Sequence, residues 1–335
     1  MIQIGINIAV KGEFITAPLP PPIVLFTTTW TTTAPNQNVI LPYSALGTYL
    51  GTIDWGDGTT SINSFANKIH SYALAGTYTV EINGTCIGWN FSSYGGVNSS
   101  YITSVVNWGQ LQLGSDIGNY FLNCSNLNLS SVSDILDLTG IFNLNGMFSG
   151  SGVSSINNIN SWNTSSVTNM GGMFYGTPSF NQALSFDTSS VTDMSYMFKS
   201  AISFNQSLST FDTSSVIYMN GMFQSAISFN QSLSTFDTSS VIYMGGMFYD
   251  ATSFNQNIGT WNVGNVIYFF DFMGNKTPAT FSTTNLNSIY NGWSASGVQA
   301  NCNISFGTAK YTVAASVGRA ILTGVNSWII TDGGI

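Results

Sequence analysis

Charge is what this sequence has least of. Asp, Glu, Lys and Arg make up 6% of its 335 residues, against an ordinary share of about 25%. Its water-facing side must therefore be built from Ser, Thr, Asn and Gln. The six Lys and Arg form no cluster and the net charge is −8. That excludes nucleic acid and anionic membrane surfaces as expected partners. Histidine occurs once, at His70, so no Ser-His-Asp or Cys-His arrangement can be assembled without it. Three cysteines, Cys86, Cys124 and Cys302, stand far apart without a CxxC pair. They give neither a disulfide framework nor a zinc site, and are expected to be small buried hydrophobes. No apolar run approaches the roughly 20 residues of a membrane span. The opening "MIQIGINIAVKGEF" lacks a basic region and a small-residue cleavage site, so no signal peptide is expected.

Apolar residues are nonetheless 44% of the chain and aromatics 14%, which suits a folded, β-rich protein with many turns. Residues 1–21 form an N-terminal arm that ends in the stiff "APLPPP" linker. Residues 22–95 read as short strands. "VLFTTTW", "IDWGDGTTS" and "GTYTVEING" are β-branched and aromatic, and Gly and Asp break them. Tyr78, Val80 and Ile82 alternate as one strand face.

Residues 96–290 repeat themselves with a period near 25. "FDTSSVIYMNGMFQSAISFNQSLST" is followed at once by "FDTSSVIYMGGMFYDATSFNQNIGT". Apolar positions recur: Val191, Val216 and Val241; Met194, Met219 and Met244; Phe198, Phe223 and Phe248; Phe204, Phe229 and Phe254. A period of this length is that of one coil in a stacked array, since a single unit cannot bury its own apolar face. Within a unit, "NQSLSTF" suits a short strand. Asp212, Thr213 and Ser214 are cap candidates before a single helical or 3₁₀ turn, because Val216, Met219, Met222 and Phe223 share helical spacing. Asn205-Gln206 and their equivalents are expected to form a side-chain ladder. Residues 291–335 read as a C-terminal cap, with a helix in "YTVAASVGRAIL" and a last strand in "SWIITDGG".

Two stretches carry a family resemblance. Asp54, Trp55, Gly56, Asp57, Gly58, His70, Tyr72, Gly76, Tyr78 and Val80 resemble the pattern of a PKD domain, an immunoglobulin-like β-sandwich that serves as a spacer or adhesion unit. The repeats, in their "SSVTDMSYMF…SFNQ" form, resemble the BspA-like leucine-rich repeats of bacterial surface proteins, strongly over 160–275 and weakly over 100–160. The tail resembles the closing segment of the same proteins. The resemblance implies a mainly β chain, a PKD-like sandwich followed by a leucine-rich-repeat-type solenoid, and a role in adhesion.

Candidate chemistry is sparse. Asp54 and Asp57 make a carboxylate pair that could serve glycoside hydrolysis or weak calcium binding, but an Asp-Gly turn explains both. His70 fits a structural place before a strand. No cofactor and no metal is expected. The feature that stands out is aromatic: Tyr218, Tyr243 and Tyr268 occupy one place in successive units, and Tyr175 and Tyr249 share another. Such rows either stack sugar rings or pack on each other. The expectation is a non-enzymatic virion surface protein of a bacteriophage, a fibre, spike or head decoration. Its arm would dock to other virion proteins, its repeats would meet a host-surface glycan or protein receptor, and homo-oligomers are compatible with it. A bacterial cell-surface or secreted adhesin is the alternative, and a glycan-active enzyme the remote one.

Overall fold

The structure, a computed structural model, describes residues 8–10, 13–15, 24–94, 98–114 and 117–335. In the arm, β1 (Ile8–Val10) pairs antiparallel with β2 (Glu13–Ile15). The Pro18–Pro22 linker lies outside the described residues.

The β-rich region follows from β-branched and aromatic runs cut by turns. It comprises β3 (Phe26–Thr32), β4 (Gln37–Ile40), β5 (Tyr43–Tyr49), β6 (Thr52–Asp54), β7 (Thr60–Ile62), β8 (Ile69–Tyr72), β9 (Gly76–Asn83), β10 (Cys86–Trp89), β11 (Ile102–Asn107) and β12 (Leu111–Gln112). A five-stranded sheet runs β11-β3-β9-β6-β7, a three-stranded one runs β12-β10-β5, and β4 pairs with β8. Phe26 and Trp30 of β3 meet Trp89 of β10 at ring separations of 4.8 and 6.4 Å, so aromatic rings join the two larger sheets. Val80 and Ile82 are buried and Tyr78 packs against the same core, as their alternation implies. The boundary at 95 moves. β11 pairs with β3 and β12 with β10, so residues 102–112 complete these sheets, and β11 also meets the first stacked unit through Ser104.

From β11 onward the chain stacks unit upon unit. Parallel bridges link Ser104 to Asn128 and Leu129 to Ile156, then Asn143, Asn169, Asp193, Tyr218, Tyr243 and Tyr268 in one column. Beside that column every second N–H points to the following unit. Met219 donates to Tyr243 O (2.9 Å), Gly221 to Gly245 O (2.9 Å), Phe223 to Met247 O (3.0 Å) and Ser225 to Tyr249 O (2.7 Å). Between these bonds the backbone curls through left-handed residues, Gly221 at φ 55° and Ser225 at φ 56°. Asn205 Oδ1 accepts from Asn230 N–H and Asn230 Oδ1 from Asn255 N–H, both at 2.9 Å, so the expected amide ladder is present.

Two local expectations change. No strand forms in "NQSLSTF": Asn205 N–H donates to Asn181 Oδ1 of the preceding unit, and Phe211 N–H closes a turn on Leu208 O. No helix forms in "DTSSVIYMNGMF"; it is a run of single turns, with Val216 N–H closing on Thr213 O and Met222 N–H on Met219 O. Asp212 braces such a turn and caps no helix, since its carboxylate accepts from Ser214 N–H and, at 2.6 Å, from Ser214 Oγ. The inward spacing of Val216, Met219, Met222 and Phe223 is therefore produced by corners. All four are fully buried.

The core is a set of side-chain columns. Phe198, Phe223 and Phe248 stack at 5.9 and 5.7 Å, and each lies within about 4 Å of the second ring of its own unit, as Phe223 does with Phe229 at 3.9 Å. Thr188, Thr213 and Thr238 are buried, and their hydroxyls donate to the carbonyls of Asp212, Asp237 and Asn262 in the next unit.

Both ends of the stack are covered. Phe121 of an early unit packs on Trp108 and Phe91 of the β-rich region. At the far end, α1 (Thr283–Ser294) buries Leu286, Ile289, Tyr290 and Trp293, and Ser282 caps it by accepting from Asn285 N–H. The cap thus begins at 283, ahead of the expected 291. The Asn ladder sets its register, because Asn255 Oδ1 accepts from Ser282 N–H. The closing pair is β13 (Asn303–Ser305) and β14 (Ile329–Thr331), parallel, with the short α2 (Ser316–Ala320) between them. Lys276 takes the place that Ala201, Ala226 and Ala251 hold in their units. It is 2% exposed, and its ammonium donates to the carbonyls of Ala251 and Phe254. Burial draws its pKa down to about 7, while the ring of carbonyls favours the charged form.

Three expectations follow for stability. Met222→Ala leaves a cavity in a fully buried column and should cost about 2–5 kcal/mol by denaturant unfolding. Deleting one whole unit, residues 211–235, should leave a folded chain, because the neighbours re-stack in register. A silent point change together with an unfolded deletion would contradict the stacking. The Ser189 and Ser214 hydrogen bonds hold the Asp187 and Asp212 carboxyls below the usual carboxylate range. Their folded-state pKa values are depressed, so the stability they add is present above about pH 4 and fades as pH falls further. The double variant Asp187→Asn, Asp212→Asn should flatten that part of the acid unfolding curve.

Candidate functional site

The left-handed residues create the most distinctive surface of the stack. Asn119, Gly146, Gly172, Tyr196, Gly221, Gly246 and Asp271 occupy one place in successive units, all with φ between 54° and 62°. Such a backbone favours glycine and tolerates Asn or Asp. Where glycine stands, no side chain rises. At Gly246 a Cβ would find nothing within 4 Å. The column forms the floor of a groove along the stack, open at Gly246 and covered at Gly221 by the ring of Tyr196.

Its walls come from the places on either side. One wall holds Asn220, Tyr243, Tyr268 and Phe270, and the other Gln224 and Tyr249, around a cavity of about 420 Å³. Toward the start of the stack lies a second cavity of about 380 Å³, between Asn145 and Ser195 on one side and Ser149, Tyr175 and Lys199 on the other. Tyr196 lines both. Two further glycines seat aromatic rings. A Cβ on Gly221 would lie 2.5 Å from the Tyr196 ring, and one on Gly245 would lie 2.3 Å from that of Tyr268.

The five tyrosines named from sequence divide here. Tyr243, Tyr268 and Tyr249 line the larger cavity, and Tyr175 the smaller one. The two rows, separate in the sequence, are thus opposite walls of one groove. Tyr175, Tyr218 and Tyr268 are 41–47% exposed, whereas Tyr243 and Tyr249 are half-buried. Tyr218 lines neither cavity. Its ring stacks on Tyr243 at 5.1 Å and 8°, so it supports that wall from behind. Sequence reading passed over Tyr196, Lys199, Asn220 and Gln224. The signal was available: Lys199 and Gln224 stand in the same place of their units as Tyr175 and Tyr249.

The groove holds little that could perform acid–base chemistry, Asp271 and Lys199 being its charged groups. The carboxylates considered for catalysis are elsewhere and serve their own turn. Asp54 Oδ1 accepts from Gly56 N–H, and Asp57 Oδ1 from Thr59 N–H and Oγ1. His70 Nε2 lies 2.7 Å from Asp57 Oδ2, and its ring stacks on Trp55 at 4.7 Å. Burial opposes ionisation of Asp57, yet the hydrogen bonds from Thr59 and His70 prevail and draw its pKa down to about 2. Among the described residues no group of three His, Cys, Asp or Glu could hold a metal ion. Cys86, Cys124 and Cys302 are free and buried, and burial pushes all three thiols up, Cys86 to about 12. Such thiols are poor nucleophiles. No described helix is long and apolar enough to cross a membrane.

No curated protein and no solved structure matches the chain. A family model does match, over residues 115–206 and again over 184–285, the repeated units themselves. These stretches cover just over half of the 335 residues, and the chain accordingly belongs to the family described as "Mycoplasma protein of unknown function, DUF285".

Proposed function

We propose that the chain is a non-enzymatic adhesion protein that binds sugar chains in its glycine-floored groove. The observation that carries this reading is the groove itself: two neighbouring cavities that share Tyr196, walled by tyrosines and neutral amides and arranged along the stack. Aromatic faces suit the apolar faces of sugar rings, and Asn, Gln and Ser supply neutral hydrogen bonds. A channel parallel to the stack fits a linear polymer, and affinity then adds up over several weak contacts.

In this reading the stacked units form a leucine-rich-repeat-type solenoid of the BspA-like kind, and the β-rich region of β3 to β10 forms a PKD-like sandwich that holds it away from its support. The edge-to-edge bonds between units and the aromatic contacts between the sheets support this. The proposed setting is the surface of a bacteriophage virion, with the arm docked to other virion proteins, and the bacterial cell surface is its alternative. Mass spectrometry of purified virions and of cell envelopes decides between them: recovery in envelopes alone would overturn the virion setting.

Binding should be separable from folding. Tyr243→Ala should weaken binding to a glycan array or to cells about fivefold, the loss of one stacked ring. Gly246→Asn keeps a residue that tolerates the left-handed backbone but raises a side chain from the floor. It should remove most of the binding while the melting temperature stays within a few degrees. Normal binding by both variants would show that the groove is not the site.

A further inference from the structure

Lys199 is the one Lys or Arg of the sequence between Lys68 and Lys276. It stands in the wall of the smaller cavity, half-buried. Its ammonium lies 5.3 Å from the centre of the Tyr175 ring and 5.2 Å from that of Tyr196. It makes no ion pair among the described residues, although Asp193 of the same unit stands next to the cavity and accepts at 2.5 Å from Ser195 Oγ, which lines it. Among the described residues the ion pairs are His70–Asp57 and Arg319–Asp332, both outside the stacked units. Asp271 stands at the opposite end of the groove, beyond Tyr243 and Tyr268. The groove thus has a positive charge at Lys199 near its start, the carboxylate of Asp193 held behind Ser195, and a second carboxylate at Asp271 near its end.

We propose that the groove selects a sparsely anionic glycan, with a carboxylate or phosphate substituent at Lys199 and neutral sugar rings along Tyr243 and Tyr268. This rests on the glycan reading of the groove. Two ring faces hold the lysine in place, so little side-chain entropy is lost when an anion arrives. A half-buried site also strengthens the attraction relative to open water. The same charges explain why the substituent must be sparse. A second anion near Asp271 meets a carboxylate, and the protein as a whole carries −8. A polymer charged on every sugar is therefore rejected at the end where a lightly charged one is held.

The test is an array of neutral, uronate-bearing, sialate-bearing, phosphate-bearing and heavily sulfated glycans, probed with the full chain. Wild type should favour glycans with isolated anionic sugars by about five- to tenfold over their uncharged counterparts. The uronate and phosphate members identify which anion is read. Lys199→Gln should bring affinity for the anionic glycans down to that for their uncharged counterparts, and Lys199→Arg should keep most of the preference. Affinity for the anionic glycans should fall about threefold between ~0.05 and ~0.5 M salt in wild type, and should be flat in Lys199→Gln. A preference that survives Lys199→Gln, or strongest binding to heavily sulfated chains, overturns the inference. Binding confined to neutral glycans and abolished by Tyr243→Ala also overturns it, yet leaves the glycan reading standing. Absence of binding to every class overturns both.

Discussion

The stack depends on one repeated backbone device: a left-handed residue between two N–H groups that point the same way. At Gly221 the chain turns sharply, yet the N–H groups of Met219, Gly221, Phe223 and Ser225 all reach the following unit. An ordinary right-handed turn would close its hydrogen bonds within the unit and leave the faces between units unbonded. An extended strand would bond to its neighbour but could not bring Met219, Met222 and Phe223 into one small core. The alternation achieves both. Left-handed backbone strains a Cβ, so these places are filled by Gly, Asn, Asp or Ser, with Tyr196 the departure. The groove is a by-product of that restriction, since a column held largely by glycine has few side chains, those of Asn119, Tyr196 and Asp271.

Much of the molecule was legible in the repeat. The period, the buried columns and the Asn ladder all rest on a rule that holds without coordinates: identical residues at identical places meet their own copies. The misreadings share a cause too. Spacing of i, i+3 and i+6 signals a helix when every residue is right-handed, but corners at three-residue intervals give the same inward pattern. Nothing in Val216, Met219 and Met222 separates the two; the Gly at 221 does. The boundary at 95 was misplaced because β11 belongs to both partners. It pairs with β3 through Trp30 and Thr28 while Ser104 bridges to Asn128. A strand that serves as both sheet edge and first step of the stack carries no mark of its double role. The groove, likewise, requires knowing that the places of Tyr175 and Tyr243 face each other across Gly172 and Gly246.

The chain supplies its own comparison of what must stay and what is free to change. Columns that face inward hardly vary from unit to unit: Val191, Val216, Val241; Met197, Met222, Met247; Phe204, Phe229, Phe254. Columns that wall the groove vary at nearly every step. One reads Ser149, Tyr175, Lys199, Gln224, Tyr249, and another Asn145, Gly171, Ser195, Asn220, Gly245. Stacking constrains the first kind, because each ring must fit its copy above and below. It leaves the second kind open, because those side chains meet solvent or a ligand. Variation along one face of an otherwise uniform stack is what a surface shaped for an irregular partner requires.

The same geometry accounts for the scarcity of charge. In a stack of near-identical units any ionised residue is placed next to its own copy, roughly 6 Å away, and like charges at that distance repel by about 0.7 kcal/mol even in water. Summed over every column, this would oppose the close approach on which the inter-unit hydrogen bonds depend. Neutral Asn, Gln, Ser and Thr escape the repulsion, and Asn profits from it by bonding to its copy, as Asn205 does with Asn230. The column of Asp187, Asp212 and Asp237 is the exception. Asp212 indeed acts against the ionisation of Asp187, but each of the two carboxylates is steadied by a serine of its own turn. A lysine column would lack that relief, since three donors on a long stem find no such acceptor nearby. Lys199 accordingly stands alone in its column, between Tyr175 and Gln224. A single charge there costs the stack nothing in repulsion and is free to act on what lies in the groove.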